Sequence, residues 1–136
     1  MRLVLDTNVL VAALISPAAP PHRLYEAWRE RRFDLVSCAL QLEELRRVSR
    51  YPKLATRVAP HLVGRVINEL RLLTLWIEVL PTIDRSPDPY DNFLLALAEA
   101  GEADFLVSGD KRGVLALGTH GRARIVTASA MVDLLS

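Results

Sequence analysis

The residues of this sequence best suited to chemistry are carboxylates in places where an acid is unexpected. Asp6 directly follows the short apolar run Arg2 to Leu5, and Asp110 follows Phe105 to Ser108 across a Ser108-Gly109 turn. Asp91 is followed at three, four and seven residues by Leu94, Leu95 and Ala98, the spacing of one helix face. Glu44 lies in the row Leu40-Glu44-Val48. Glu43 lies in the row Ala39-Glu43-Arg47, where the arginine can pair with it. Glu44 is therefore the acid expected to face inward and Glu43 the one expected at the surface. A carboxylate turned toward protein is costly unless a cation or a hydrogen-bond donor compensates it. Each acid also has a plainer reading. Asp6 can cap a helix starting at Asn8, Asp91 can complete a capping box with Asp88, Asp110 can be a turn residue, and Glu44 can be a surface acid. Asp88 is explained as an N-cap, and Asp104, which precedes its strand, belongs at the opposite edge of a sheet.

The elements that must position these acids alternate along the chain. Strands are predicted over Arg2 to Leu5, Asp34 to Ser37, Trp76 to Leu80, Phe105 to Ser108 and Ala123 to Val126. Helices are predicted over Asn8 to Ile15, His22 to Arg32, Ala39 to Arg50 and Val58 to Leu73, the third stopped by Tyr51-Pro52. Asp88-Pro89 opens a further helix that Gly101 closes, and Thr127 caps a last one to about Leu135. Such alternation predicts an α/β fold, a parallel sheet covered on both faces, with functional groups beyond the C-terminal ends of its strands. Asp6 and Asp110 both fall at that edge.

A length of 136 residues, with 51% hydrophobic and 24% charged, suits one domain spanning residues 1–136 and excludes a disordered chain. No apolar stretch is long enough to cross a membrane. The early acid at position 6 argues against a secretion signal. Cys38 is the sole cysteine, which precludes an internal disulfide and favours a cytoplasmic location, and His22, His61 and His120 make no zinc pattern with it. Charge is unevenly spread: Glu43 to Arg71 carries seven bases and three acids, a net +4, whereas Pro81 to Asp104 carries six acids and Arg85, a net −5. A basic face beside an acidic pocket suits a metal enzyme acting on a polyanion; solvated helix faces of opposite sign are the plainer account.

Four segments together resemble the PIN-domain family, most closely its bacterial toxins of toxin–antitoxin pairs. They are Leu3-Val4-Leu5-Asp6-Thr7-Asn8-Val9-Leu10, Leu42-Glu43-Glu44-Leu45-Arg46-Arg47-Val48, Asp88-Pro89-Tyr90-Asp91-Asn92-Phe93-Leu94-Leu95-Ala96-Leu97-Ala98, and Ala103-Asp104-Phe105-Leu106-Val107-Ser108-Gly109-Asp110-Lys111. The resemblance implies a three-layer α/β/α sandwich with a parallel five-stranded sheet of order 3-2-1-4-5. It implies metal-binding acids at Asp6, Glu44, Asp91 and Asp110, with Asn8 and Ser108 as supporting polar residues. It also implies an endoribonuclease using Mg²⁺ or Mn²⁺, since carboxylate-held divalent ions activate water and neutralise the leaving oxygen of a phosphodiester. Arg46, Arg47, Arg50 and Lys53 are then candidates to hold the RNA backbone; Arg112 is another, or an ordinary surface arginine. A homodimer and a small antitoxin partner complete the expectation. The alternatives are a non-catalytic RNA-binding or interaction module on the same scaffold, and a housekeeping RNA-processing nuclease. A phosphatase with an Asp-x-Asp motif fails because Asn8 takes the second acidic position, and a dinucleotide-binding enzyme fails for want of a glycine-rich turn.

Overall fold

The computed structural model describes residues 1–136. The apolar run at the start forms β1 (Arg2–Leu5), and Asp6 turns it directly into α1 (Thr7–Ile15). The proline pair starts α2 (Pro20–Arg29), which leads through Phe33 to β2 (Asp34–Ser37) and α3 (Ala39–Ser49). A short α4 (Pro52–Ala55), α5 (Pro60–Leu73) and a two-residue β3 (Leu75–Trp76) follow. A 3-10 turn at Pro89–Asp91 runs into α6 (Asn92–Ala100), then β4 (Phe105–Val107). A second 3-10 turn (Val114–Leu117), β5 (Thr119–His120), β6 (Ala123–Val126) and α7 (Ala128–Leu135) complete the chain.

The sheet order is β3-β2-β1-β4-β6-β5, and every pairing but the last is parallel. The five parallel strands thus take the expected order, and the α/β architecture stands. The correction is a sixth strand: Gly118 and Gly121, both at positive φ, let Thr119–His120 fold back antiparallel against β6. Two residues between turns carry no periodicity by which a strand could be recognised. The third strand also ends earlier than expected. It pairs only along Val36 and Ser37, because β2 turns into α3 at Cys38 and leaves nothing to bond beyond Ile77. Tyr51-Pro52 does stop α3, but Pro52 simultaneously begins α4 at a position where a proline costs no hydrogen bond.

Alternation along β1 divides the core. Leu3 and Leu5 face a large cluster fed by Leu10, Leu24, Trp28, Leu45, Leu70 and Met131 of the five helices α1, α2, α3, α5 and α7. Val4 faces the other way, with Val36 and Leu106, onto Leu94, Leu95 and Leu97 of α6. The sandwich is therefore lopsided, and α6 almost alone covers the second face. Its close approach explains Gly101: a Cβ there would sit 2.5 Å from Val36 Cγ1. Gly101 ends the helix with ordinary right-handed φ, and the left-handed turn falls on Glu102.

Candidate metal centre

The register of β1 against β4 pairs Leu5 with Val107, so the residues just past both strands meet. Asp6 N donates to Val107 O at 2.9 Å. Asp6 is 3% exposed, and both its oxygens are engaged: Oδ1 accepts from Asn8 N at 3.2 Å and Oδ2 from Ser108 Oγ at 2.9 Å. Its capping role and its inward placement therefore hold together. Ser108, fully buried, also accepts from Asp110 N at 3.2 Å, so one hydroxyl ties both strand-end acids to the same spot. Asp110 Oδ1 accepts from Arg112 N, the bond of an ordinary turn aspartate, without removing it from the cluster.

Asp91 arrives from the other side, at the 3-10 turn that opens α6. Oxygens of Asp88, Asp91 and Asp110 lie within 4.8 Å of one another, close enough to share one cation. Asp88 is the residue that sequence reasoning left out. It does cap the turn, accepting from Tyr90 N at 3.1 Å, and yet it stands with the other two acids. Its spacing to Asp91, three residues along a helical turn, was the available signal. Gly113 borders the triad. A Cβ there would lie 2.4 Å from Asp110 Oδ2 and 2.9 Å from Asp91 Oδ2, so the space before these carboxylates exists because this residue has no side chain.

Glu44 projects from α3 toward Thr7 and Asp6, half-buried, while Glu43 is exposed, as their helical rows suggested. The expected Arg47 partner is different: Arg47 lies 3.8 Å from Glu44 Oε2, one turn back along the helix, instead of pairing with Glu43. Leu40, expected to flank Glu44 on an apolar row, is half exposed. Thr7 Oγ1 is fully buried without a well-formed hydrogen bond. Its hydroxyl nonetheless faces Glu44 closely enough to favour that carboxylate's charged form. Asn8 is exposed, and it contributes its backbone N–H to Asp6; its side chain makes no hydrogen bond to the acids.

The electrostatics are those of negative charges crowded without compensation. Burial, then the charges of Asp6, Asp88, Asp110 and Glu44, push the Asp91 carboxyl up to about 7. Burial also raises Asp6, against the lowering effect of the Asn8 and Ser108 hydrogen bonds, and Asp110 raises it further. Glu44 is raised by burial and by Asp6. Arg85, the one base in the acidic segment, turns away and bonds Thr119 O and His120 Nδ1. Hard carboxylate oxygens, a buried unpartnered hydroxyl and a glycine-made space fit a hard divalent cation, with Asp88, Asp91 and Asp110 nearest one another and Asp6 and Glu44 beside them. By contrast, Asp104 sits at the far edge of the sheet as expected, held low by Arg2 N and Arg122.

Of the expected phosphate-holding bases, Arg46, Arg47, Arg50, Lys53 and Arg112 are all exposed. Arg46 and Arg50 flank a groove between α3 and α5 floored by Val58, Val63 and Ile67. Only Arg47 is in an ion pair.

A lopsided parallel sandwich with acids gathered beyond the ends of its two central strands defines a class of α/β protein with a carboxylate centre at the sheet's topological switch point. The sequence matches the PIN domain over residues 2–112, and the chain belongs to that family. The matched span contains Asp6, Glu44, Asp88, Asp91 and Asp110, and β5, β6 and α7 lie beyond it. The fold is similar to the crystal structure of PAE2754 from Pyrobaculum aerophilum, at TM-score 0.65 and 18% identity, covering 99% of this chain and 89% of that one. No curated protein matches the sequence. No helix is long and apolar enough to cross a membrane.

Proposed function

We propose that residues 1–136 act as one domain, a metal-dependent endoribonuclease, with Asp6, Glu44, Asp91 and Asp110 holding Mg²⁺ or Mn²⁺. The observation that carries this reading is the convergence of carboxylates at one sheet edge, Asp88, Asp91 and Asp110 within 4.8 Å of one another and no basic side chain bonded to them, where burial and then mutual repulsion raise Asp91 to about 7. A bound divalent ion would supply an activated water and charge neutralisation for phosphodiester hydrolysis. The chain's own residues do the rest. Ser108 fixes the orientation of Asp6 and, through the Asp110 backbone, the start of the Asp110 turn. Glu44 faces Thr7 and Asp6 from α3, with Arg47 pairing to it along the same helix. Exposed Arg46, Arg50, Lys53 and Arg112 are free to meet the phosphates of a strand. Cleavage of a labelled RNA in Mn²⁺, abolished by chelation and by Asp6→Asn, tests the reading. Cleavage by a folded Asp6→Asn variant would remove Asp6 from it.

The same reading makes the chain the toxin of a toxin–antitoxin pair in the cytoplasm, a homodimer restrained by a small partner protein. Its support is the family resemblance and an acidic centre that a partner's arginine could bind in place of metal. Leu72, Leu73, Leu75 and Val79, all exposed at the β3 edge, are available to a second copy. Expression of this chain alone should arrest bacterial growth, Asp6→Asn should not, and the product of the adjacent small gene should relieve the arrest. Unimpaired growth with soluble, active enzyme would leave a housekeeping nuclease.

A further inference from the structure

Between Pro81 and Pro87 the chain has no regular structure, yet it must deliver Asp88 to within ligand distance of Asp91 and Asp110. Nothing in that stretch is held by a helix or strand of its own. Ile83 packs against the core on the α6 side, and the backbone just before Asp88 is held by the side chain of Asn92, at the start of α6. Asn92 Oδ1 accepts two backbone donors at once, from Arg85 N at 3.0 Å and from Ser86 N at 2.8 Å. Ser86, itself 8% exposed, passes the restraint on, its Oγ accepting from Asp88 N at 3.3 Å. A second anchor lies farther out, where the Arg85 guanidinium bonds Thr119 O at 2.7 Å and His120 Nδ1 at 2.9 Å on the short antiparallel strand. That arginine is thereby committed to the scaffold and does not neutralise the acids.

We propose that Asn92 is a positioning residue of the centre: its amide clamps the loop at Arg85 and Ser86 and so holds Asp88 against Asp91 and Asp110, where Asp88 serves as a further ligand of the divalent cation. This rests on the metal-centre reading above. An asparagine is suited to the task because one carbonyl oxygen carries two lone pairs and no charge, so it can take both donors without adding to a crowded set of carboxylates. Asp88, carrying a charge, can do what its capping bond alone does not require.

The test is a calorimetric titration of the whole chain with Mn²⁺. Asn92→Ala and Asp88→Asn should each weaken binding about tenfold or more, the loss typical of a supporting residue of a metal site. Because one acts through the other, the double variant should bind no more weakly than Asp88→Asn alone, a non-additivity that a merely structural asparagine would not produce. Asn92→Asp, which keeps the double acceptor while adding a charge, should bind Mn²⁺ more tightly than Asn92→Ala. Additive losses, or equal weakening in Asn92→Asp and Asn92→Ala, would overturn the clamp. If Asn92→Ala does not fold, Ser86→Ala carries the same test with a smaller loss, again absent in the Asp88→Asn background; an additional loss there would also overturn it. A parent protein that binds no Mn²⁺ at all sinks the metal centre itself, a result distinct from all of these.

Discussion

Asp6 shows how much a single buried carboxylate depends on its neighbours. Ser108 and the Asn8 backbone supply its two bonds, and removing one leaves a charged oxygen unsatisfied in the interior. Ser108→Ala should therefore lower stability by about 1–3 kcal/mol in chemical denaturation, and reduce cleavage at limiting metal. An unchanged denaturation midpoint would show that solvent reaches the site. Asp91 gives the pH dependence. Its folded value near 7 lies above the ordinary 3.8, so the folded metal-free protein binds this proton more tightly than the unfolded chain does. The resulting stability is complete below 3.8 and is lost as pH rises through about 7. Thermal melts of metal-free protein should thus fall across that window, Asp91→Asn should flatten the fall, and Mn²⁺ should reverse it. A melting temperature that rises over the same window in the parent and falls in Asp91→Asn would contradict the sign. At this scale the sequence placed Glu44 inward and Glu43 outward because helical rows report direction. It missed Asp88 because capping accounted for it, and at Asn8, a supporting position implied by the resemblance, the bond to Asp6 comes from the backbone. Neither can be read without knowing which way a side chain turns at a helix's first turn.

At the scale of elements, two glycines separate folding from chemistry. Gly101 lets α6 lie against β2, and Gly113 leaves room in front of the acids. Gly101→Ala would force its methyl into Val36, an overpacking that should cost about 1–3 kcal/mol of stability, with metal affinity kept in whatever remains folded. Gly113→Ala should do the reverse: Mn²⁺ affinity falls at least tenfold while the melting temperature of metal-free protein changes little. Equal responses of both variants in the two measurements would refute this division. Elements with a strong local signature were legible: β1, β2 and β6 from apolar runs bounded by turns, and α7 from Thr127, whose hydroxyl accepts from Ala130 N. What escaped was set by partners rather than by local sequence. The length of β3 depends on where β2 stops, and β5 exists because β6 offers it an edge.

For the whole molecule, the division of charge has a measurable consequence. If the basic stretch from α3 to α5 carries the strand into the acidic edge, RNA affinity should fall steeply with salt. Arg46→Ala and Arg50→Ala should each flatten that dependence by roughly 0.7–0.9 in log–log slope. Slopes identical to the parent's would place the RNA elsewhere. The parallel α/β class was readable from alternation of strand and helix, since parallel strands need crossovers, whereas the strand order that brings Asp6 and Asp110 together was implied by the family resemblance. The weight of five helices on one face and α6 on the other was not, because helical periodicity does not say which side of a sheet a helix will cover. The most direct test of the metal centre is anomalous diffraction from crystals soaked in Mn²⁺ with Asp6, Glu44, Asp88, Asp91 and Asp110 intact. It should show manganese between Asp91 and Asp110, with Asp6, Glu44 and Asp88 around it, and the peak should vanish in Asp91→Asn. Manganese bound only elsewhere, or no peak at saturating concentration, would contradict it.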